Sequence, residues 1–185
     1  MTAHATMDEC HAALDHIRVA PKDGAPIRQL CLRPEIGLRA FPDSLRMTTA
    51  AGIEGDRWPE DSWLKQPDGS ADPRIQVSIL AQRVMDLCWR DRDAIPHPGD
   101  PLIVDMDLSE GNLPIGSRLA VGSTILEVSD KFNSGCVKWN EWYGGASLRW
   151  LNLPELRADR LRGILCRVVQ DGTVRVGDPL TKLAA

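Results

Sequence analysis

One cysteine stands in a setting unlike that of the other four. The segment Asn133-Ser134-Gly135-Cys136-Val137-Lys138-Trp139 puts Cys136 directly after a glycine, just downstream of a strand expected over Ile125–Ser129. A thiolate is the soft donor a thiophilic metal takes, and it is also the nucleophile that can carry a transferable sulfur atom. The glycine lets the backbone bend and leaves a ligand room to approach. A free thiol, with its pKa near about 8.5, becomes a good nucleophile only when nearby cations favour the thiolate. If residues 136 to 138 are extended, Lys138 shares a face with Cys136 and supplies that charge. The ordinary fate of an isolated cysteine is different: a small buried hydrophobe. Cys88 reads that way, recurring with Leu80, Val84 and Leu87 at helical spacing, and so does Cys166, mid-strand among Ile164, Leu165 and Val168. The five cysteines are odd in number and contain no C-x-x-C pair. Neither a disulfide framework nor a zinc ribbon is implied.

Two further groups of residues could meet a ligand. Gly52-Ile53-Glu54-Gly55-Asp56-Arg57 is a turn with two glycines and an adjacent Asp56-Arg57 pair, inside a long irregular stretch from Pro34 to Arg74. It lacks the Gly-Lys-Ser/Thr of a phosphate loop, so a surface turn closed by an ion pair competes with a binding role. Arg149, Arg157, Arg160, Arg162 and Arg167 form the most basic part of the chain. They read either as a solvated face or as an anion site, where planar guanidinium groups suit phosphate oxygens. The acidic run Asp105, Asp107, Ser109 is not a calcium loop, because Glu110 stands where that loop needs Gly and Gly116 where it needs Glu.

The elements that would position these groups are mostly short strands. Residues 1–13 read as a flexible lead-in and 181–185 as a tail, with one domain over 14–180. Strands are expected at Leu14–Ala20, at Ile27–Arg33 (closed by Pro34), at Ile75–Ser78 and at Leu102–Asp107. Two more follow at Leu119–Val121 and Thr124–Val128 around Gly122-Ser123. Ser78 is placed to cap a helix over Ile79–Asp91. Ala146–Leu151 reads as helical, and Pro154 opens another helical turn. Gly163–Val169 and Val174–Val176, joined by Gln170-Asp171-Gly172-Thr173, read as a hairpin. Many short strands, Gly/Asp turns and few helices imply a mostly β fold, a compact barrel decorated by a few short helices.

The composition is that of an ordinary globular chain, 43% hydrophobic and 26% charged over 185 residues. A formal net charge of -4 gives no reason to expect nucleic acid or an anionic membrane as partner. No stretch approaches the roughly 20 apolar residues of a membrane helix, and the polar start, Met1 to His16, lacks the apolar run of a signal peptide. A reduced, cytoplasmic protein is expected.

The order of segments resembles the MOSC domain, named for the C-terminal part of molybdenum-cofactor sulfurases. Four blocks carry the likeness: Gly52 to Arg57; Gln76-Val77-Ser78-Ile79-Leu80; the run from Gly99-Asp100 through Ile115–Gly122 and Leu126-Glu127-Val128 to Cys136; and Val168 to Asp178. Together they span roughly residues 14 to 180 and imply a stand-alone member with a closed MOSC-type β-barrel. The resemblance implies that Cys136 is the catalytic or metal-binding cysteine, either a ligand to molybdenum or a persulfide sulfur carrier. It implies molybdopterin as cofactor, and with it reduction of N-hydroxylated compounds or a related oxidoreductase reaction on a small-molecule substrate. Asp56, Arg57, Lys138, Arg149, Arg160 and Arg162 are the cofactor-binding candidates. The alternatives are a sulfur-transfer module serving a metal-sulfur cluster or cofactor, and a non-catalytic binding domain. The implied partner is an electron-donor protein or a cysteine desulfurase, with pyridoxal phosphate only on that separate protein. The sequence departs from the family in three places. Pro101 stands where Asn is frequent, Trp58 where His often follows the Gly-Asp-Arg turn, and Gly135 where Pro often precedes the cysteine.

Overall fold

The computed structural model describes residues 4–184. Ten strands carry the architecture: β1 (Ala25–Leu30), β2 (Ser44–Thr48), β3 (Gly52–Ile53), β4 (Val77–Ala81), β5 (Leu102–Val104), β6 (Arg118–Val121), β7 (Thr124–Val128), β8 (Ile164–Gln170), β9 (Gly172–Arg175) and β10 (Pro179–Lys182). Seven close into a barrel in the order β1-β10-β6-β7-β8-β4-β5, with β5 returning to β1. All barrel pairs are antiparallel except β4 with β5. The interior is filled by aliphatic side chains, among them Ile27, Leu30, Ile79, Leu102, Leu119 and Leu126, each at most 1% exposed. Six short helices surround it: α1 (Met7–Ala12), α2 (Leu14–Arg18), α3 (Trp58–Asp61), α4 (Gln82–Cys88), α5 (Val137–Tyr143) and α6 (Gly145–Leu151). The closed β-barrel with a few short helices is therefore as expected. No helix among the described residues is long and apolar enough to cross a membrane.

The differences from the sequence reading are local, and each has a cause. Leu14–Ala20 is not a strand: Cys10, Leu14 and Ile17 repeat at helical spacing, and that stripe joins the core as α1 packs on α6 and α2 on α4. The lead-in is not loose over Met7–Ala12. Thr6 Oγ1 accepts from Glu9 N while the Glu9 carboxylate accepts from Thr6 N, a reciprocal cap that starts the helix. Residues 1–3 of that segment and residue 185 of the expected tail lie outside the described residues, and β10 runs past the expected domain end at 180. Ser78 caps no helix, because β4 continues to Ala81. Its Ile79 and Leu80 are both buried, which mimics the start of an apolar helix. Within the irregular stretch, β2 hides an alternating strand with Leu45 and Met47 buried.

The expected hairpin is the most consequential miss. β8 pairs with β7 and β4 in the barrel, whereas β9 leaves it to pair with β2, which also holds β3. Two side groups turn this corner. The Asp171 carboxylate accepts from Thr49 N at the end of β2, at 2.8 Å. A Cβ on Gly172 would come within 2.4 Å of the Ser123 backbone, so the close crossing requires glycine.

A second glycine is equally constrained. Gly163 lies at φ +86°, and a Cβ there would sit 2.1 Å from the Ile79 carbonyl oxygen of the paired strand. Gly163→Ala is expected to lower stability by at least about 2 kcal/mol, combining left-handed strain with a backbone clash. Urea unfolding of the two proteins measures this, and equal midpoints would show that the β4–β8 junction relaxes freely.

Candidate functional site

The site grows from the Gly-Asp-Arg turn. Gly55, at φ +78°, lets the chain reverse after β3 and drives Asp56 inward. There the Asp56 carboxylate accepts hydrogen bonds from Arg33 N (3.0 Å), Arg33 Nε (3.0 Å), Arg33 Nη2 (2.9 Å) and Trp58 N (2.9 Å). Asp56 is thus a pin, tying the turn to the chain just beyond β1. Arg57 N donates to the Arg33 carbonyl at 2.9 Å, which completes the tie. The Arg57 side chain is left free to face outward, where it pairs with Asp61 one helical turn along α3.

Arg162 arrives from the opposite side. Its Nη1 donates to both carboxylate oxygens of Asp100 (2.8 and 2.9 Å), and its guanidinium lies 4.8 Å from the Trp139 ring centre. Arg33, Arg57 and Arg162 converge on a cleft of about 140 Å³, with Trp58, Trp63 and Asn133 also in its wall. The Trp58 Nε1 donor is buried and has no hydrogen-bond partner among the described residues. Three guanidinium groups suit a phosphate or other oxyanion.

Cys136 does not line this cleft, but its loop does. Asn133 Nδ2 donates to the Arg162 carbonyl at 3.0 Å, and Gly135 N donates to Asn152 Oδ1 at 3.1 Å. Gly135 fits closely against α6: a Cβ there would lie 2.7 Å from Leu148 Cδ1. Cys136 then opens α5 in an extended conformation and is exposed. The other cysteines are buried, and desolvation pushes Cys31 up to about 11 and Cys88 and Cys166 up to about 12. Those thiols are inert near neutrality. Trp139, three residues further along in α5, is buried and stacks on Arg162.

The remaining candidates separate. Residues 137–143 are helical, so Lys138 does not share an extended face with Cys136; it and Arg149 are exposed and lie outside the cleft wall. Arg160 turns away, donating to the Leu113 carbonyl at 2.6 Å and lining a neighbouring hollow of about 110 Å³ with Arg157 and Lys131. Pro101 is structural: its carbonyl accepts from Cys31 N where the chain enters β5. Arg33, Trp58 and Trp63 were not singled out as ligand-facing by sequence. Arg33 read simply as a strand end, and only the fold brings it to Asp56, 23 residues away.

Residues 95–181 match the family model of the MOSC domain. Among solved structures the fold is similar to the YuaD protein from Bacillus subtilis, with a TM-score of 0.63 and 21% identity, covering 84% of this chain and 93% of that one. It is also similar to YiiM from Escherichia coli (TM-score 0.57, 19% identity, 88% of this chain and 70% of that one). YiiM from Geobacillus stearothermophilus gives a TM-score of 0.50 at 14% identity, over 86% of this chain and 75% of that one. The curated proteins contain no match to the sequence. The MOSC match covers just under half of the chain, and the likeness to these structures extends a similar fold over most of the rest.

Two buried groups make this region measurable. Asp56→Ala leaves the Arg33 guanidinium half-sealed without its carboxylate, and a loss of about 3 kcal/mol is expected in urea unfolding. His97, 3% exposed, is held down to about 4 by burial, against an ordinary value near 6.5. The unfolded chain therefore binds this proton first as pH falls. Stability is full above about 6.5 and declines by roughly 3 kcal/mol down to about pH 4. His97→Gln should flatten that part of the pH–stability curve, and an unchanged slope would rule the histidine out.

Proposed function

We propose that the protein binds a molybdenum cofactor, with the arginine cleft holding the phosphate of molybdopterin and Cys136 bonding the metal. The observation that carries this reading is the exposed thiol on a loop that also walls a cleft of three arginines. The donor set suits the group. Arg33, Arg57 and Arg162 offer forked N–H donors to phosphate oxygens, and Cys136 offers a soft sulfur. Among the described residues no three His, Cys, Asp or Glu side chains are grouped to hold a metal ion, so a metal on Cys136 would take its other ligands from the cofactor. When bound, the cofactor would supply the electron-transfer chemistry for reducing an N-hydroxylated compound, with electrons from a partner protein. The chain's own part is positional. Asp56 and Asp100 keep two guanidinium groups aimed, Asn133 and Asn152 hold the cysteine loop, and Cys136 stays open to its ligand.

The same exposure supports a second reading, sulfur relay. The Cys136 thiolate would attack the terminal sulfur of a desulfurase persulfide, gaining that sulfur while the donor cysteine leaves as a thiolate. Lys138, Arg149 and Arg160 have no position in the cleft wall.

Protein purified from a molybdenum-competent host is expected to carry molybdenum and pterin in near-equal amounts, and Cys136→Ser is expected to lose the metal with an unchanged melting temperature. Wild type free of both would refute the cofactor reading. Incubation with a cysteine desulfurase separates the second: a mass gain of about 32 Da on wild type and none on Cys136→Ser marks a persulfide.

A further inference from the structure

The three cleft arginines are held by their acids with very different security. The Asp56 side chain is sealed at 0% exposure and that of Asp100 at 1%, whereas that of Asp61 is 49% exposed. Asp56 accepts four hydrogen bonds and Asp100 grips Arg162 through both oxygens. Asp61 is tied to Arg57 by its carboxylate alone, across one turn of a four-residue helix, and it stands in the cleft wall itself. The backbone bond from Asp61 N to the Arg57 carbonyl, at 2.9 Å, keeps α3 closed whether or not the side chains meet. Burial, then the neighbouring charge of Arg33, push Arg57 below the ordinary arginine range. With Asp56 and Asp100 committed to Arg33 and Arg162, Arg57 is the charge an incoming anion can win.

We infer that Asp61 is an internal stand-in for the ligand's anionic group and thereby sets specificity, yielding Arg57 to a doubly charged phosphate monoester and not to a singly charged carboxylate or phosphodiester. This rests on reading the cleft as an anion site. Replacing the Asp61 carboxylate by another single charge leaves the Coulomb energy at Arg57 nearly unchanged and still strips water from the ligand. A dianion brings a second charge that also attracts Arg33 and Arg162, and so the exchange becomes favourable. Once displaced, Asp61 meets water at little cost because it is half exposed already.

The test is calorimetric titration of the purified full chain at low salt and about pH 8, where phenyl phosphate is a dianion and methyl phenyl phosphate a monoanion. Wild type should bind the monoester and discriminate against the diester. Asp61→Asn should tighten both by roughly two- to fivefold, the worth of an exposed ion pair, with the larger gain for the diester, so that discrimination narrows. Glu60→Gln, the same charge change on the neighbouring exposed residue, controls for the general field. If Asp61→Asn behaves as Glu60→Gln does, or leaves both affinities unchanged while wild type binds the monoester, Asp61 is merely a helix-stabilising partner and the inference falls while the cleft stands. If wild type binds neither probe, the cleft is not an anion site and both readings fall together.

Discussion

Everything at the candidate site depends on two carboxylates placed where water does not reach. Asp56 and Asp100 are sealed from water, and each is compensated by a guanidinium that keeps some exposure. Alone, either acid would be prohibitively costly to bury; paired and hydrogen-bonded, each fixes the direction of a long flexible cation. The arrangement converts Arg33 and Arg162, which would otherwise sample many rotamers, into rigid donors. The two acids come from chain regions far apart, one from the turn after β3 and one from the approach to β5. The cleft is therefore a property of the closed barrel and not of any one loop.

The thiol is held by a different principle. Its loop is fastened near the cysteine by amide side chains, Asn133 to the Arg162 carbonyl and Asn152 to Gly135 N, and further back by the Arg74–Asp130 ion pair and Arg157 over the Phe132 ring. Gly135 permits close contact with Leu148 of α6, which a proline ring would have to displace. Trp58 adds an indole ring to the cleft wall.

Much of this was legible in the residues. The barrel followed from short alternating strands separated by Gly and Asp turns, and Cys136 was distinguishable because the apolar company of Cys88 and Cys166 marked those two as core. The Asp56-Arg57 pair was legible as a motif, but its division of labour was not. Asp56 looks inward to Arg33 and Arg57 outward to Asp61, a distinction set by tertiary contact and invisible in a dipeptide. Basic residues grouped along the sequence proved a poor guide to grouping in space. Arg162 reaches the cleft, whereas Arg160, two positions earlier at φ 47°, turns its guanidinium toward Leu113. The β8–β9 corner was misread because Asp171-Gly172 carries a hairpin's residue types, and only the crowding against Ser123 shows that the glycine serves a crossing.

The seam of the barrel has a bearing on how such a protein is made. β1 is bordered by β10, so residues 25–30 must wait for residues 179–182 before the wall closes. The strand that begins the barrel thus keeps an unpaired edge until β10 has been made. Long-range pairing of this kind slows folding and exposes sticky intermediates. A chain interrupted on the ribosome before residue 179 would carry neither a sealed barrel nor the seam that joins its first strand to its last.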